Sequence, residues 1–293
     1  MRSMILSAGK SCFVACPGCY NHFARTLAST DDLLGFVRAY QERFGLSRIT
    51  VGGGDPLTRP DLLTLLTGLK DRGLSISLDT VGTAFLGDAR IRFMGEGIAA
   101  HVPADQVAAL THMIGIPLDG TTDAVQQLFR RHARVEEQRA VLRTLHSAGA
   151  RVCVNTVVHA GNAGAIGALA GLLAEHACVV EWQLFQFMPI GPLGHRNRER
   201  FLIDDSAFVE AADAARAASP STVNVIAKSA QARKHRYLLI DAGGQVWIPS
   251  QSTATAWSPT DSSGERVTLG PVQDPKTLQR IADYVNEPAG AAQ

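Results

Sequence analysis

Residues 11–22 read SCFVACPGCYNH and bring Cys12, Cys16 and Cys19 into one short loop. The spacing C-x3-C-x2-C lets three thiolates meet at one metal centre and leaves that centre one protein ligand short. With His22 as a fourth ligand, the same cysteines could form a closed Cys3His zinc site. The cysteines taken alone therefore allow two kinds of metal site, a [4Fe-4S] cluster bound by three cysteines or a Cys3His zinc site.

The composition limits the class of protein. The 293 residues are 46% hydrophobic, which suffices for one barrel-sized α/β domain. The 28 Lys and Arg residues balance 27 Asp and Glu, so no global basic field favours nucleic acid. The sequence contains no secretory signal and no membrane-spanning apolar run, so we expect a cytoplasmic protein without a membrane partner. Five cysteines, three of them clustered, favour metal binding over disulfides.

The cysteine loop follows a short predicted strand, and strands alternate with helices from there onward. Six such units imply parallel strands joined by right-handed crossovers. We therefore predict an α/β fold, a partial (β/α)6 TIM-like barrel. The strands are expected at residues 3–7, 48–51, 74–80, 114–119, 151–158 and 179–188, and the helices at 31–44, 62–69, 104–110, 121–147 with a break near His132, and 163–174.

The pattern changes after Pro189. We expect a Gly- and Arg-rich loop at 191–200, a helix at 204–217, a β-hairpin at 237–248 and a final helix at 274–286 that ends in a frayed tail. These elements divide the chain into a barrel at residues 1–190 and a C-terminal extension at 191–293 that closes the barrel. Two basic clusters, at 196–200 and 233–236, are either solvated charges or an anion site for a substrate carboxylate or phosphate.

With Gly52-Gly53-Gly54-Asp55-Pro56 after the second strand, the cysteine motif resembles the radical S-adenosylmethionine (SAM) superfamily. The resemblance implies a [4Fe-4S] cluster held by Cys12, Cys16 and Cys19, with SAM at the open iron and a 5′-deoxyadenosyl radical as the reactive species. Residues 182–186 and 237–241 resemble, more weakly, viperin-like enzymes and cytosylglucuronate decarboxylases.

The same resemblance implies the SAM contacts. They lie at successive strand ends, where a barrel places its active site. The glycine run gives a physical reason, because it lets a ligand approach the backbone closely. The residues are Gly53, Gly54, Asp55, Tyr20, Thr80, Asp119 and Asn155.

Two positions depart from the family pattern. Gly18 stands where the family usually has an aromatic residue that packs on adenine, so Tyr20 or Phe13 is expected to supply that contact. Viperin-like enzymes have triphosphate-binding lysines where this chain has Cys153 and Gln183, so a nucleoside triphosphate is not expected as the substrate.

Cys153 lies two residues before Asn155, so both side chains share one strand face. If that face points into the barrel, the thiol could donate a hydrogen atom to a substrate radical. The alternative is a small buried hydrophobic residue, which is also the interpretation of Cys178.

We predict a radical SAM enzyme that acts on a small polar metabolite, such as a sugar or nucleoside, by epimerisation, elimination or decarboxylation. The sequence shows no second cysteine cluster and no extension before Cys12, and both absences favour a small molecule. A peptide-modifying radical SAM enzyme is the first alternative, and a zinc- or cluster-stabilised binding protein without turnover is the second. The expected electron donor is of the flavodoxin or ferredoxin type.

Overall fold

A computed structural model describes residues 3–22, 24–233, 238–249 and 266–286. Its strands are β1 (Ser3–Gly9), β2 (Arg48–Gly53), β3 (Ser75–Asp79), β4 (Ala89–Arg90), β5 (Ile98–Ala99), β6 (Met113–Pro117), β7 (Val152–Val158), β8 (Val179–Gln186), β9 (Asn224–Lys228), β10 (Leu238–Ile240), β11 (Gln245–Pro249) and β12 (Arg266–Pro271).

The helices cover the outside of the sheet and connect its strands. They are α1 (Thr30–Phe44), α2 (Leu62–Lys70), α3 (Ala104–Leu110), α4 (Asp123–Phe129), α5 (Val135–Ser147), α6 (Leu169–Ala174), α7 (Gly191–Arg196), α8 (Arg198–Phe201), α9 (Asp205–Ala218), α10 (Ala230–Arg233) and α11 (Lys276–Asn286). Local sequence signals explain their ends. In α1, for example, the Ser29 hydroxyl accepts from Asp32 N, and Gly45 ends the helix with a positive φ of 68°.

Within the described residues, ten strands form one sheet in the order β12-β11-β10-β1-β2-β3-β6-β7-β8-β9. The pairs from β10 through β1 to β9 are parallel, and β10, β11 and β12 pair antiparallel. A row of side chains that are at most 1% exposed crosses five neighbouring strands and packs in the hydrophobic core. The row is Leu6, Val51, Leu78, Ile114 and Val152.

The opposite face of these strands lines one common cavity. Ile5 on β1, Ser77 on β3, Gly115 on β6 and Gln183 on β8 all contribute to its wall. Because strands from β1 to β8 curve around the same space, the six parallel strands form the predicted partial barrel. The predicted break near His132 is confirmed, and this residue has a positive φ of 75° between α4 and α5.

Several expectations differ from the structure. The predicted loop at 191–200 forms α7 and α8, whose Gly, Pro and Arg residues carry no apolar periodicity. The predicted helix at 163–174 begins as a 3₁₀ helix over Ala163–Ala168. The strands β9 and β12 were not expected, and together with β10 they extend the sheet at both sides of the barrel. Residues 234–237, part of the second basic cluster and of the predicted hairpin, and the tail at 287–293 lie outside the described residues.

Candidate functional site

The barrel cavity has a volume of about 1150 Å³ and contains most of the predicted site residues. Its near wall consists of the cysteine loop (residues 11–22), the turn at residues 53–55 and the segment 129–131. Its far wall consists of the inward-facing residues of β7, β8 and β9. The carboxyl ends of the strands thus bring together residues from the whole chain.

Backbone hydrogen bonds hold the cysteine loop on both sides. Cys12 N donates to Phe93 O at 3.0 Å, and Phe93 N donates back to Cys12 O at 3.1 Å. Ala15 N donates to Arg131 O at 3.2 Å. The loop is therefore fixed by segments that follow β3 and β6, not by its own sequence alone.

Cys12, Cys16 and Cys19 are free thiols that line the cavity. In the described part of the chain, no three His, Cys, Asp or Glu side chains stand close enough to hold a single metal ion. A zinc site needs four ligands around one point, whereas a [4Fe-4S] cluster takes one thiolate on each of three irons. The donor set therefore fits a cluster better than the Cys3His zinc site.

His22 takes no part in such a zinc site. Its buried ring packs edge-on against Trp247, with ring centroids 5.2 Å apart. Burial lowers the pKa of this histidine to about 4, with Arg266 as a further cause. The imidazole is therefore a neutral packing group beneath the C-terminal hairpin.

Burial raises the pKa of all three clustered thiols, and that of Cys19 to about 12. Metal ligands of this type bind as thiolates, so the buried negative charge needs a cation to offset it. Iron would supply that positive charge. The three cysteines would hold the cluster at the cavity wall.

The turn at Gly53, Gly54 and Asp55 packs directly on the cysteine loop. Gly54 N donates to Gly9 O at 3.0 Å, and Asp55 N donates to Ser11 O at 2.6 Å. A Cβ added at Gly54 would lie 2.5 Å from both of these acceptor oxygens. The glycine is thus required by the approach of the cysteine loop, a structural reason beside the ligand approach expected from the sequence.

Asp55 and Thr80 line the cavity, but their polar side-chain atoms form hydrogen bonds with each other and with the backbone. The Asp55 carboxylate is 1% exposed and accepts from Thr80 Oγ1 at 2.7 Å, Val81 N at 2.7 Å and Leu57 N at 3.0 Å. Burial raises the pKa of this carboxyl to about 6 against the effect of these donors. Here Asp55 fastens the end of β2 to the end of β3.

Asn155 reaches across the barrel to Asp79. Its Nδ2 donates to Asp79 Oδ1 at 2.9 Å, and the pair spans the intervening strand β6 above Gly115. A Cβ at Gly115 would lie 2.0 Å from Asp79 Oδ1. The absence of a side chain at position 115 therefore makes room for this hydrogen bond. The role of Asn155 toward SAM stays a prediction.

Asp119 differs from the other predicted SAM residues because it lies behind the cavity wall. It is fully buried, and its carboxylate accepts from Arg130 Nε at 2.7 Å and from Val157 N at 2.8 Å. Arg130 lines the cavity in front of this carboxylate, and the role of Asp119 toward SAM stays a prediction. Asp119 positions Arg130.

Gly18 is explained by packing. A Cβ at this position would lie 2.2 Å from Phe129 and 2.9 Å from Phe187, whose rings pack with Cys16 and line the cavity. Of the two expected replacements, Tyr20 is 41% exposed and lines the cavity, whereas Phe13 is buried in the core. Tyr20 therefore remains the candidate for an aromatic SAM contact.

The far wall carries a chain of polar side chains. Cys153 Sγ lies 3.4 Å from Asn155 Oδ1 and 3.6 Å from Glu181 Oε1. Gln183 joins Glu181 to Lys228, donating to the former and accepting from the latter. Cys153 thus faces the cavity together with Asn155, and Cys178 is buried elsewhere with its thiol on Leu142 O.

Each predicted basic cluster contributes one arginine to the cavity wall. Arg198 and Arg233 line the cavity, and Arg200 lies over the ring of Phe201 at 5.0 Å. Sequence reasoning missed Arg130, Glu181 and Lys228 as site residues. Glu181 had a usable signal, because a charged residue two positions from Gln183 on a buried strand indicates a polar inner face.

A parallel partial barrel with three cysteines after its first strand, and polar side chains that line a cavity at its strand ends, is typical of an α/β enzyme with an iron–sulfur cluster. The sequence model of the Radical SAM superfamily matches residues 6–163, more than half of the chain. The chain belongs to the radical SAM superfamily, whose members use a [4Fe-4S] cluster and SAM. In the described residues, no helix combines the length and apolarity needed to cross a membrane.

The chain is similar to a protein named as a peptide cyclase and to the solved structures of SuiB and anSMEcpe. A PqqA peptide cyclase of Ruegeria pomeroyi is 27% identical over 164 residues, which are 55% of this chain and 40% of that protein. Streptococcus suis SuiB bound to SAM has a TM-score of 0.66 at 10% identity, covering 98% of this chain and 66% of SuiB. The enzyme anSMEcpe bound to AdoMet has a TM-score of 0.62 at 14% identity, covering 94% and 79%. The chain thus spans less than two thirds of the cyclase and of SuiB, and the structural likeness shows the fold.

Proposed function

We propose that this radical SAM enzyme abstracts a hydrogen atom from a peptide bound at the mouth of the barrel. The relatives favour a peptide in this proposal, and the size of the cavity permits one. At about 1150 Å³ it exceeds the roughly 300–1,000 Å³ of a pocket for one small ligand. A volume of this size accommodates SAM and a segment of a larger substrate together.

The relatives support a peptide over the small polar metabolite expected from the sequence. One relative is a PqqA peptide cyclase, SuiB was solved with the precursor peptide SuiA, and anSMEcpe was solved with a peptide. The sequence argument for a small molecule rested on absent segments. Such absences are weaker support than the nature of the relatives.

In this proposal the near wall binds the cofactors and the far wall binds the substrate. When bound, the cluster and SAM supply a 5′-deoxyadenosyl radical that removes a hydrogen atom from the substrate. In the near wall, Cys12, Cys16 and Cys19 would hold the cluster, and the turn at 53–55 would bind SAM. Thr80, Tyr20 and Asn155 complete the SAM surface in this proposal. The electron donor is of the flavodoxin or ferredoxin type.

The far wall binds the peptide. Lys228 Nζ lies 4.8 Å from the centroid of the Phe185 ring, and the Arg233 guanidinium lies 5.3 Å from the same centroid. Both cations line the cavity together with Arg198. Three positive charges at one cavity wall favour a carboxylate partner, so we assign this side to an acidic side chain or C-terminus of the peptide.

Cys153 is the hydrogen-atom donor of this proposal. Burial, followed by the nearby carboxylate of Glu181, raises the pKa of its thiol above the ordinary value. The S–H bond therefore stays intact at neutral pH. Donation to a substrate radical would leave a thiyl radical, which one electron and one proton from the electron-donor system and solvent restore to the thiol.

The source of the abstracted hydrogen tests the peptide proposal. Cells of the organism that encodes this chain are grown in deuterated medium, and the extract is separated by ultrafiltration into peptide and small-molecule fractions. Each fraction is incubated with the reduced holoenzyme and unlabelled SAM, and 5′-deoxyadenosine is analysed by mass spectrometry. We expect deuterium from the peptide fraction. Deuterium only from the small-molecule fraction would establish the metabolite function instead, and a Cys16→Ala variant gives the background.

A further inference from the structure

The guanidinium of Arg130 bridges a buried carboxylate and one of the three clustered thiols. Its Nε donates to Asp119 Oδ2 at 2.7 Å, and its Nη1 donates to Cys16 Sγ at 4.0 Å. The Asp119 side chain is fully buried, and that of Arg130 is 16% exposed. The positive charge is therefore held beside the sulfur in a region with little water to screen it.

The surroundings fix Arg130 in this position. Its side chain lies over the ring of Phe129 at 5.3 Å, and its backbone N–H closes the end of α4 on Gln126 O. Gln126 in turn accepts from Asp119 N at 2.6 Å. One residue further on, Arg131 O accepts from Ala15 N in the cysteine loop. Carboxylate, guanidinium and thiol are thus parts of one rigid unit.

This arrangement is asymmetric. Among the cysteines of the described cluster loop, Cys16 is the one with a cationic side chain in hydrogen-bond range. A cluster bound here would have one sulfur that accepts a charge-assisted hydrogen bond and two sulfurs supported by the backbone and apolar groups.

We infer that Arg130 raises the reduction potential of the cluster, with Asp119 as its positioning residue. Reduction adds an electron and makes the cluster and its thiolates more negative. A fixed cation that donates to one sulfur stabilises the reduced form more than the oxidised form, because hydrogen bonds to the sulfurs and local charge set cluster potentials. This inference concerns the cluster alone and is independent of the substrate.

An Arg130→Gln variant tests the inference. The reconstituted holoprotein is titrated with redox mediators under anaerobic conditions, and the reduced cluster is quantified by EPR with no substrate present. Iron and sulfide are assayed on the same samples. We expect full iron content and a more negative midpoint. At a fixed potential, the reduced-to-oxidised ratio should fall about tenfold, equivalent to about 59 mV for one electron.

Arg131→Gln is the matched control, since it removes the same charge from an exposed neighbouring side chain that keeps its backbone bond to Ala15. We expect its midpoint to stay close to that of the wild type. An iron-replete Arg130→Gln protein with the wild-type midpoint, or an Arg131→Gln shift of equal size, would refute the inference.

A second measurement is made on the wild-type protein, so it applies even where Arg130→Gln fails to retain iron. The wild-type protein is prepared with ¹⁵N-labelled arginine, and the reduced cluster is examined by pulsed EPR. A nitrogen coupling at contact distance is expected and should disappear in Arg130→Lys. A wild-type spectrum without that coupling contradicts the inference, while the peptide proposal stays unaffected.

Discussion

The near and far walls of the cavity are built by different means. In the near wall, backbone hydrogen bonds join three segments, and positions such as Gly18 and Gly54 have no room for a side chain. In the far wall, the contacts run from side chain to side chain, as in the chain from Cys153 through Glu181 to Lys228. Substitutions at these packed glycines of the near wall should therefore damage the fold and the cluster, whereas those in the far wall should change what happens to the substrate.

The largest effect is expected from Gly54→Ala. The new methyl group would meet Gly9 O and Ser11 O at 2.5 Å, and backbone oxygens cannot turn aside as side chains can. We expect the free energy of unfolding in urea to fall by more than about 3 kcal/mol, the upper end of ordinary overpacking, and the protein to lose iron.

The control for this substitution is Gly35→Ala in α1. A Cβ at Gly35 meets no atom within 4 Å, and alanine is the better helix former. Its free energy of unfolding should rise by about 0.5–1 kcal/mol. Equal stability of the two variants would mean that the near wall is not packed as tightly as described.

The next effect concerns pH and a histidine behind the near wall. His159 is fully buried, stacks on Phe129 at 5.5 Å and accepts from Gly161 N, and burial lowers its pKa to about 4. The unfolded chain has a histidine pKa of about 6.5, so between these values the unfolded state binds a proton that the folded state does not. Above pH ~6.5 this histidine is neutral in both states and does not change the free energy of unfolding. As the pH falls toward ~4, the free energy of unfolding decreases by about 3 kcal/mol.

His159→Gln removes this titrating group. In urea unfolding of the apoprotein across the same pH range, the wild type should lose about 3 kcal/mol more than the variant. His22 also has a pKa lowered to about 4, but it is present in both proteins and cancels in the difference. Parallel stability curves would show that His159 does not titrate as its burial requires.

The contrast between the walls also explains how far the sequence predicts the site. The near wall follows from short-range spacing, since Cys12, Cys16 and Cys19 share one loop and Gly53, Gly54 and Asp55 share one turn. The six barrel strands follow from the alternation of apolar strands and helices. Both features are local in the sequence, so both were predicted.

The far wall depends on contacts between distant strands. Asp79 and Asn155 are 76 residues apart, and Gln183 and Lys228 are 45 apart. Lys228 lies on β9, whose half-buried residues show no alternation, so the strand itself was not predicted. Asp119, behind the near wall, shows the same difficulty, because the sequence does not reveal that its carboxylate accepts a hydrogen bond from Arg130.

The smallest effect on stability, and the sharpest test of the far wall, is expected from Cys153→Ala. Removing this buried sulfur should lower the free energy of unfolding by about 1 kcal/mol, comparable to one buried methylene group, and leave the iron content unchanged.

The effect of Cys153→Ala on hydrogen return to the substrate should be large. With the peptide fraction as substrate in D2O, the thiol exchanges to S–D, so a donating Cys153 places deuterium at the carbon that lost hydrogen. The thiol of Cys178 is buried against Leu142 O, away from the cavity that Cys153 lines. The wild type and the Cys178→Ala control should therefore both incorporate this deuterium. Deuterium retained in the Cys153→Ala product would leave Cys153 a packing residue and assign hydrogen return to solvent or to another side chain of the far wall.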